Sequence, residues 1–507
     1  MAMLTADTES GRVEGMPAGN QRITVFRGIP YARPPVGGRR WKEPEPAEPW
    51  DGVRPAYRFA PIPWQPRSEK GSFYQQESDP IEWPMSEDCL YLNIWTPAET
   101  TDDRLPVAVY IFGGGMRQGY AHKITYDGEA FARRGMVYVS INYRLNLFGY
   151  FAHPALSAES PHHVSGSYGT LDQVAALEWI YRNIRHFGGD PEHISLFGQS
   201  AGADCVRSMI TTPLTKGLVK NAIMQSGSGL SYLHGGMRKT LGQGEEEGAR
   251  LLEHAGISSL AEARELPPER LTEIFNQNFR AAMGARVTFA PLVDGWLHPE
   301  SPVDAIRSGH HHDIPYLIGS CADEDYAYPL NPAPDLSAFC QSLLAIYGNK
   351  ADEYMELARI SSQADLVRHN RHYIGNYMLA GSSAFCTGQN RLKRTPAFQY
   401  WFSHIPPGFP EGKGGAYHSC EHPYINETLF RMQRPYQQED FALSQRMCAC
   451  WTNFLKSGDP NGVGLPVWTP YTAHEPYAME FGGSNGMMQI PLSPFVHFLA
   501  DCGLQGL

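Results

Sequence analysis

Gly198-Gln199-Ser200-Ala201-Gly202 directly follows the apolar run Ile194-Ser195-Leu196-Phe197. A strand that turns abruptly into a helix leaves no room for a Cβ two residues either side of the corner, so glycines flank a serine whose hydroxyl projects from the sheet edge. A helix beginning at Ala201 aims its first unsatisfied N–H groups, at the positive end of its dipole, toward charge developing on a group attacked by Ser200. The chemistry this arrangement serves is nucleophilic attack on an acyl centre. The same pattern recurs at Gly482-Gly483-Ser484-Asn485-Gly486, so the five residues alone do not identify a nucleophile. Ser484 is followed by Pro491 and by no helical periodicity, which reads as a surface turn. Only Ser200 has the strand, the corner and the helix.

A serine hydroxyl attacks poorly until a base takes its proton, so Ser200 needs an imidazole and usually a carboxylate that fixes the imidazole's tautomer. The chain offers 19 histidines, and composition does not choose among them. A tetrahedral oxyanion also needs donors. Gly113-Gly114-Gly115 follows the apolar run ending at Phe112, and only residues without side chains let successive N–H groups come close to one oxygen. A dinucleotide loop is the competing reading of these glycines, but their spacing to Gly119 is not GxGxxG.

The elements that must position these groups are apolar and β-rich: Val107 to Phe112, Met136 to Ile141, Ile194 to Phe197, Ala222 to Gln225, Tyr316 to Ile318, and Phe398 to Phe402. Between the second and third, Val174, Leu177, Ile180, Ile184 and Phe187 recur at three and four residues, one buried face of a helix from Leu171 to Phe187. Gly188-Gly189-Asp190-Pro191 stops it, as Ser457-Gly458-Asp459-Pro460 stops a helix from Phe441 to Leu455. Strand, helix, strand implies a parallel crossover, and continuous apolar runs are those of a sheet covered on both faces. The class is therefore a doubly wound α/β sheet, with ligands expected beyond the strands' C-terminal ends.

The chain has 507 residues, 42% hydrophobic and 12% aromatic, without a linker, repeat or low-complexity tract that would divide it, so a single α/β domain over residues 1–507 is expected. The net charge of −11 speaks against a nucleic-acid partner. No run of about 18 apolar residues is present for a membrane span, and the N-terminal segment lacks the blocks of a signal peptide, so a cytoplasmic location is expected unless a leader has been removed. Nine scattered cysteines without a CxxC pair read as mostly buried free thiols rather than a metal or disulfide framework. Cys448 and Cys450 lie two apart on a helix and cannot share a ligand face. His310-His311-His312 reads as a solvated loop. Nothing in the sequence fixes the oligomeric state.

Several motifs jointly resemble the type-B carboxylesterases, which include the cholinesterases and bacterial para-nitrobenzyl esterases. They are Phe26-Arg27-Gly28-Ile29-Pro30-Tyr31-Ala32, Pro34-Pro35-Val36-Gly37, Ser86-Glu87-Asp88-Cys89-Leu90-Tyr91-Leu92-Asn93, Asn142-Tyr143-Arg144, Met224-Gln225-Ser226-Gly227 and Pro291-Leu292-Val293-Asp294-Gly295. The resemblance implies an α/β-hydrolase fold with a large, mostly parallel sheet flanked by helices, long insertions forming a gorge, no cofactor or metal, and hydrolysis of small-molecule carboxylic esters. In this fold the chain order is nucleophile, acid, histidine, which also removes Ser484.

The family's acid, the glutamate of a D-E-G run, matches Glu324 in Asp323-Glu324-Asp325. Asp325 replaces the glycine, which leaves Asp323 and Asp325 as alternatives. The histidine of its H-x-x-E segment matches His418 in Tyr417-His418-Ser419-Cys420-Glu421, with His422 the rival. The resemblance further assigns the oxyanion donors to Gly114, Gly115 and Ala201, and makes Ser226, Glu421 and Gln199 supporting residues. Phe112 stands where relatives often have histidine. Secreted relatives pair the cysteine of E-D-C-L with one upstream; no cysteine precedes Cys89 here, so it is expected unpaired. Gln199 stands where cholinesterases carry glutamate, so neutral esters are expected to outrun choline esters. Trp83 and the aromatic residues from Tyr326 to Tyr328 are candidates for the gorge lining, with packing the preferred reading of each. Hydrolysis of amides, carbamates or thioesters by the same three residues stays open, whereas a non-catalytic binding scaffold is disfavoured because Ser200, Glu324 and His418 are all present.

Overall fold

A computed structural model describes residues 2–231, 237–281, 289–326, 334–410 and 414–507. Eleven strands form one sheet: β1 (Met16–Pro17), β2 (Thr24–Pro30), β3 (Tyr91–Thr96), β4 (Leu105–Ile111), β5 (Val137–Ile141), β6 (Gly189–Gln199), β7 (Ala222–Gln225), β8 (Tyr316–Cys321), β9 (Ala397–Phe402), β10 (Tyr477–Phe481) and β11 (Met487–Gln489). Their order across the sheet is β11-β10-β9-β8-β7-β6-β4-β5-β3-β2-β1. Every neighbour pair from β5 to β10 is parallel, and the margins are antiparallel. All six strands expected from apolar runs are present, β6 and β8 longer than expected. The central ones are buried over their apolar runs, Val107–Ile111 and Ile194–Phe197 among them, because helices cover both faces.

Apolar runs did not disclose the margins of the sheet, β1 to β3 on one side and β10 and β11 on the other. β2 is interrupted at Gly28, where φ is +69° and the register with β3 shifts. Asn93 on β3 fills the break by accepting from the Gly28 N–H at 3.0 Å. A buried polar residue inside a strand satisfies a bulge and spoils the apolar signal in one move.

The helices that matter for the site are α1 (Phe73–Ser78), α2 (Tyr168–Asn183), α3 (Ala201–Thr211), α4 (Tyr373–Arg391) and α5 (Gln438–Ser457). The expected run from Leu171 to Phe187 is α2 plus a 3₁₀ turn over Ile184–Phe187, ended by Gly188 at φ +75°. α5 begins earlier than its apolar periodicity, because Gln437 and Asp440 form a capping box that satisfies free N–H groups before the apolar face starts. Gly458, with φ +78°, ends it.

The Asn142-Tyr143-Arg144 segment after β5 is a structural clamp. Arg144 makes a bidentate, fully buried ion pair with Asp172 of α2, at 2.7 and 2.8 Å. Tyr143 stacks on Phe112 and donates its hydroxyl to the Phe112 carbonyl at 2.8 Å. The backbone that enters the triple glycine is thereby held from below.

Candidate active site

Ser200 sits between β6 and α3 with φ +59° and ψ −130°, a conformation costing a non-glycine residue of order 1–3 kcal/mol that only a surrounding structure can enforce. The enforcement is close packing. A Cβ on Gly202 would lie 2.2 Å from the Ile111 carbonyl oxygen, and one on Gly198 2.5 Å from the Gly202 oxygen. The Ser200 N–H donates to the Gln225 carbonyl of β7 at 2.8 Å, which fixes the corner against the sheet.

Across a pocket of about 280 Å³, Ser200 faces Gly113, Gly114, Gly115, Gln199, His418 and His422, with Tyr74 and Glu77 of α1 and Arg117, Lys123, Thr125 and Tyr126 completing the near walls. Gly114 and Gly115 have φ of +116° and +68°, and among the described residues neither amide donates to an acceptor. The N–H of Ala201 is likewise free as the first of a helix. The turn is pinned by Gln65, which accepts from Gly119 N at 2.6 Å and donates to the Gly119 carbonyl at 2.9 Å.

Glu324 lies just beyond β8, and His418 on the loop after β9. The His418 Nδ1 and a Glu324 oxygen are 2.5 Å apart, and the other Glu324 oxygen accepts from the Cys321 N–H at 2.7 Å. Both groups are buried. Burial alone would lower the His418 pKa, but the Glu324 charge and hydrogen bond, with Glu421 and Asp325 behind, raise it on balance. On the other face of the ring, the Gln199 side-chain nitrogen is 3.1 Å from Nε2. An amide nitrogen only donates, so Nε2 is the acceptor and the proton sits on Nδ1, the nitrogen facing Glu324.

The rival residues have other partners. Asp323 accepts from Ala416 N at 2.8 Å, and its own N–H donates to the Ala416 carbonyl at 3.0 Å. It thus ties the acid loop to the histidine loop. Asp325 accepts from Ile374 N and Gly375 N at the start of α4, at 3.1 and 2.7 Å; the carboxylate in place of glycine serves as an anchor for that helix. His422 is buried, contacts the Tyr110 hydroxyl at 3.2 Å, and is held neutral because burial lowers its pKa to about 3. Ser484 lies in the turn between β10 and β11 and donates to Glu480.

Behind the histidine, Glu421 has a closer partner than Ser226. The Ser226 hydroxyl reaches it at 3.5 Å, whereas the Cys321 thiol donates to it at 3.0 Å. Burial, reinforced by the Glu324 charge, pushes the Glu421 pKa up to about 7. Cys321, Cys420 and Glu421 are the trio of possible metal ligands among the described residues. Burial raises both thiols, Cys420 to about 11, so at neutral pH both are protonated.

One expectation needs correction. The three-histidine run is not a solvated loop: His310 is exposed, but His311 is buried, 3.1 Å from the Gln389 side chain, because Arg394 donates to the carbonyls of Gly309 and His311 and draws the loop inward. Trp83 has the packing role preferred for it and does not line the pocket of Ser200. It packs edge-on against His122 and Phe59 beside a separate groove. Tyr326 is partly exposed and meets Phe409 edge-on at 5.4 Å, and Tyr328 lies outside the described residues. All nine cysteines are unpaired and eight are buried, Cys89 among them.

Sequence reasoning did not find Gln65, Lys123, or the pair that braces the wall at α1, in which Arg434 grips Glu77 bidentately at 2.8 and 2.9 Å while the Tyr417 hydroxyl donates to the same carboxylate. These come from loops without periodicity.

A mostly parallel sheet, a serine at a strand-to-helix corner and a carboxylate–imidazole pair across the pocket define an α/β-hydrolase. Comparison with known proteins gives the family. A profile described as the carboxylesterase family matches residues 3–498. A fumonisin B1 esterase of Sphingopyxis macrogoltabida is 34% identical over 95% of this chain and 87% of its own length. A medium-chain fatty acyl-CoA hydrolase precursor of Anas platyrhynchos is 32% identical over 93% of this chain and 87% of its own. Among solved structures, a PNB esterase superimposes with a TM-score of 0.80 at 28% identity, covering 96% of this chain and 97% of its own. The carboxylesterase of Geobacillus stearothermophilus gives 0.78 at 31%, covering 97% and 99%. The chain belongs to the carboxylesterase family and is a hydrolase of carboxylic esters. No helix among the described residues is long and apolar enough to cross a membrane.

Proposed function

We propose that Ser200 is the nucleophile, His418 the general base and acid, and Glu324 the group that holds the imidazole tautomer. The observation that carries this reading is the 2.5 Å contact between Glu324 and His418 Nδ1 on the pocket that also holds the strained Ser200. With its proton on Nδ1, His418 offers a lone pair at Nε2; Ser200 Oγ gives its proton there and attacks the ester carbonyl carbon. The tetrahedral oxyanion is taken by the N–H groups of Gly114, Gly115 and Ala201, each typically worth about 3–4 kcal/mol in the transition state. The imidazolium, stabilised by Glu324, returns the proton to the leaving alcohol. Water then repeats the sequence on the acyl-enzyme, releasing the acid and restoring Ser200.

Supporting roles follow from contacts. Gln199 steadies Nε2 between turnovers, and Ser226 and Glu421 support the histidine loop from behind. One domain over residues 1–507 is our reading of a sheet whose strands run from Met16 to Gln489. A reducing, cytoplasmic location fits nine unpaired thiols, and a net charge of −11 fits a partner list without nucleic acid. The test is hydrolysis of para-nitrophenyl butyrate by Ser200→Ala and His418→Ala. Each is expected to lose on the order of 10⁵-fold or more in kcat, and retention of more than about 1% of activity by either overturns the assignment.

A further inference from the structure

The pocket of Ser200 is lined by a cation that forms no ion pair among the described residues. Lys123 lines it together with the nucleophile and the triple glycine. Among the described residues its ammonium makes no hydrogen bond or ion pair, and its one polar contact is with the face of Tyr120, 5.7 Å from the ring centroid. Surrounding protein strips enough water from it to lower its pKa. The carboxylate that acts on it most, Asp79, is occupied by the hydroxyls of Tyr120 and Ser68 and forms no ion pair with it. Leaving an ammonium partly desolvated and unpaired is costly unless something arrives to pair with it.

The rest of the wall removes negative charge rather than supplying it. Glu77 is neutralised by Arg434, His422 is neutral, and Gln199 is an amide. The chain as a whole carries −11, so a positive pocket runs against the overall field and must be local in purpose. We propose that the ester substrates of this site carry a carboxylate, and that Lys123 recognises it. This deepens the esterase reading and rests on Ser200 as the nucleophile. A charge-assisted hydrogen bond from the ammonium would orient the ester carbonyl toward Ser200, and the same charge would repel choline esters.

The test uses the full-length enzyme and two matched pairs of esters: para-nitrophenyl hydrogen adipate against para-nitrophenyl hexanoate, and meta-carboxyphenyl butyrate against meta-carbamoylphenyl butyrate. The readout is the ratio of kcat/KM for the anionic member to that for the neutral member within each variant, which cancels any general loss of activity. Wild type is expected to hydrolyse the anionic member of at least one pair as well as its neutral partner or better. Lys123→Met lowers that ratio about tenfold or more, and Lys123→Arg retains it. The pair that responds tells whether the acid or the alcohol part bears the carboxylate. A smaller fall in both pairs, or a wild type that disfavours both anionic esters tenfold or more, overturns the proposal. If Lys123→Met does not fold, the wild-type ratio decides: it must fall as ionic strength rises, and a flat response overturns the proposal. Loss of neutral-ester hydrolysis in Ser200→Ala tests the underlying reading separately, because it does not depend on the ratio.

Discussion

Replacing Glu324 by glutamine changes one oxygen into an amide nitrogen, and the geometry makes that change severe. In the native protein the two carboxylate oxygens serve two donors, the Cys321 N–H at 2.7 Å and the His418 Nδ1–H at 2.5 Å. Glutamine has one acceptor for those two. If its oxygen stays with Cys321, its NH₂ faces Nδ1 and forces the proton to Nε2, so the imidazole can no longer accept from Ser200. If its oxygen turns to Nδ1, the NH₂ meets the Cys321 N–H, a buried donor facing a donor at a cost of about 1–3 kcal/mol. The first arrangement is favoured, and it is the inactive tautomer. We expect kcat to fall on the order of 10³–10⁴-fold, as for loss of the acid in other serine triads, equivalent to about 4–5.5 kcal/mol. Activity does not vanish, since the glycine donors remain.

The pH dependence gives a second readout of the same substitution. Attack requires neutral His418, so the rate rises as pH increases through its pKa. In the native site that pKa is raised, because Glu324 and the carboxylates behind it outweigh burial. Without the Glu324 charge, burial pulls it down, and the acidic limb of kcat/KM should move to lower pH. Steady-state hydrolysis of para-nitrophenyl butyrate from about pH 5 to about 9 measures both effects. A fall of less than about tenfold, or a limb that does not move acidward, would refute the reasoning.

Asp323→Asn should retain activity within about tenfold of native, since an amide oxygen can still accept from Ala416 N; a loss matching that of Glu324→Gln in parallel kinetics would transfer the acid role to Asp323. Gly202→Ala should abolish activity or folding, because its Cβ would press to 2.2 Å from the Ile111 carbonyl; native-like kinetics and melting would show that the elbow is not tightly packed. With all thiols unpaired, dithiothreitol should leave the melting temperature unchanged and denatured protein should titrate nine free thiols, whereas any bridged pair found by mass mapping contradicts this.

What was legible in the sequence follows from packing. The elbow could be read because its glycines are forced by backbone contact, and the central strands because burial on both faces leaves an uninterrupted apolar run. β2 and β3 were not read as strands, since Gly28 and Asn93 build a bulge that looks like a turn in one dimension. At the site, order along the chain and family resemblance reached Glu324 and His418. They left Asp323 and Asp325 as alternatives to Glu324, because three adjacent carboxylates differ only in the N–H groups they meet. Lys123, Gln65 and the Glu77–Arg434 pair left no trace, as loop residues are brought together by tertiary packing without a periodic signal.

The central claim is that one hydroxyl, that of Ser200, carries the covalent chemistry. The most direct measurement is stoichiometric reaction with an aryl organophosphonate followed by proteolysis and mass mapping of the adduct. A single adduct on the peptide containing Ser200, formed in step with loss of esterase activity and absent in Ser200→Ala, is the predicted result. An adduct on Ser484, or full inactivation with Ser200 unmodified, would contradict the account.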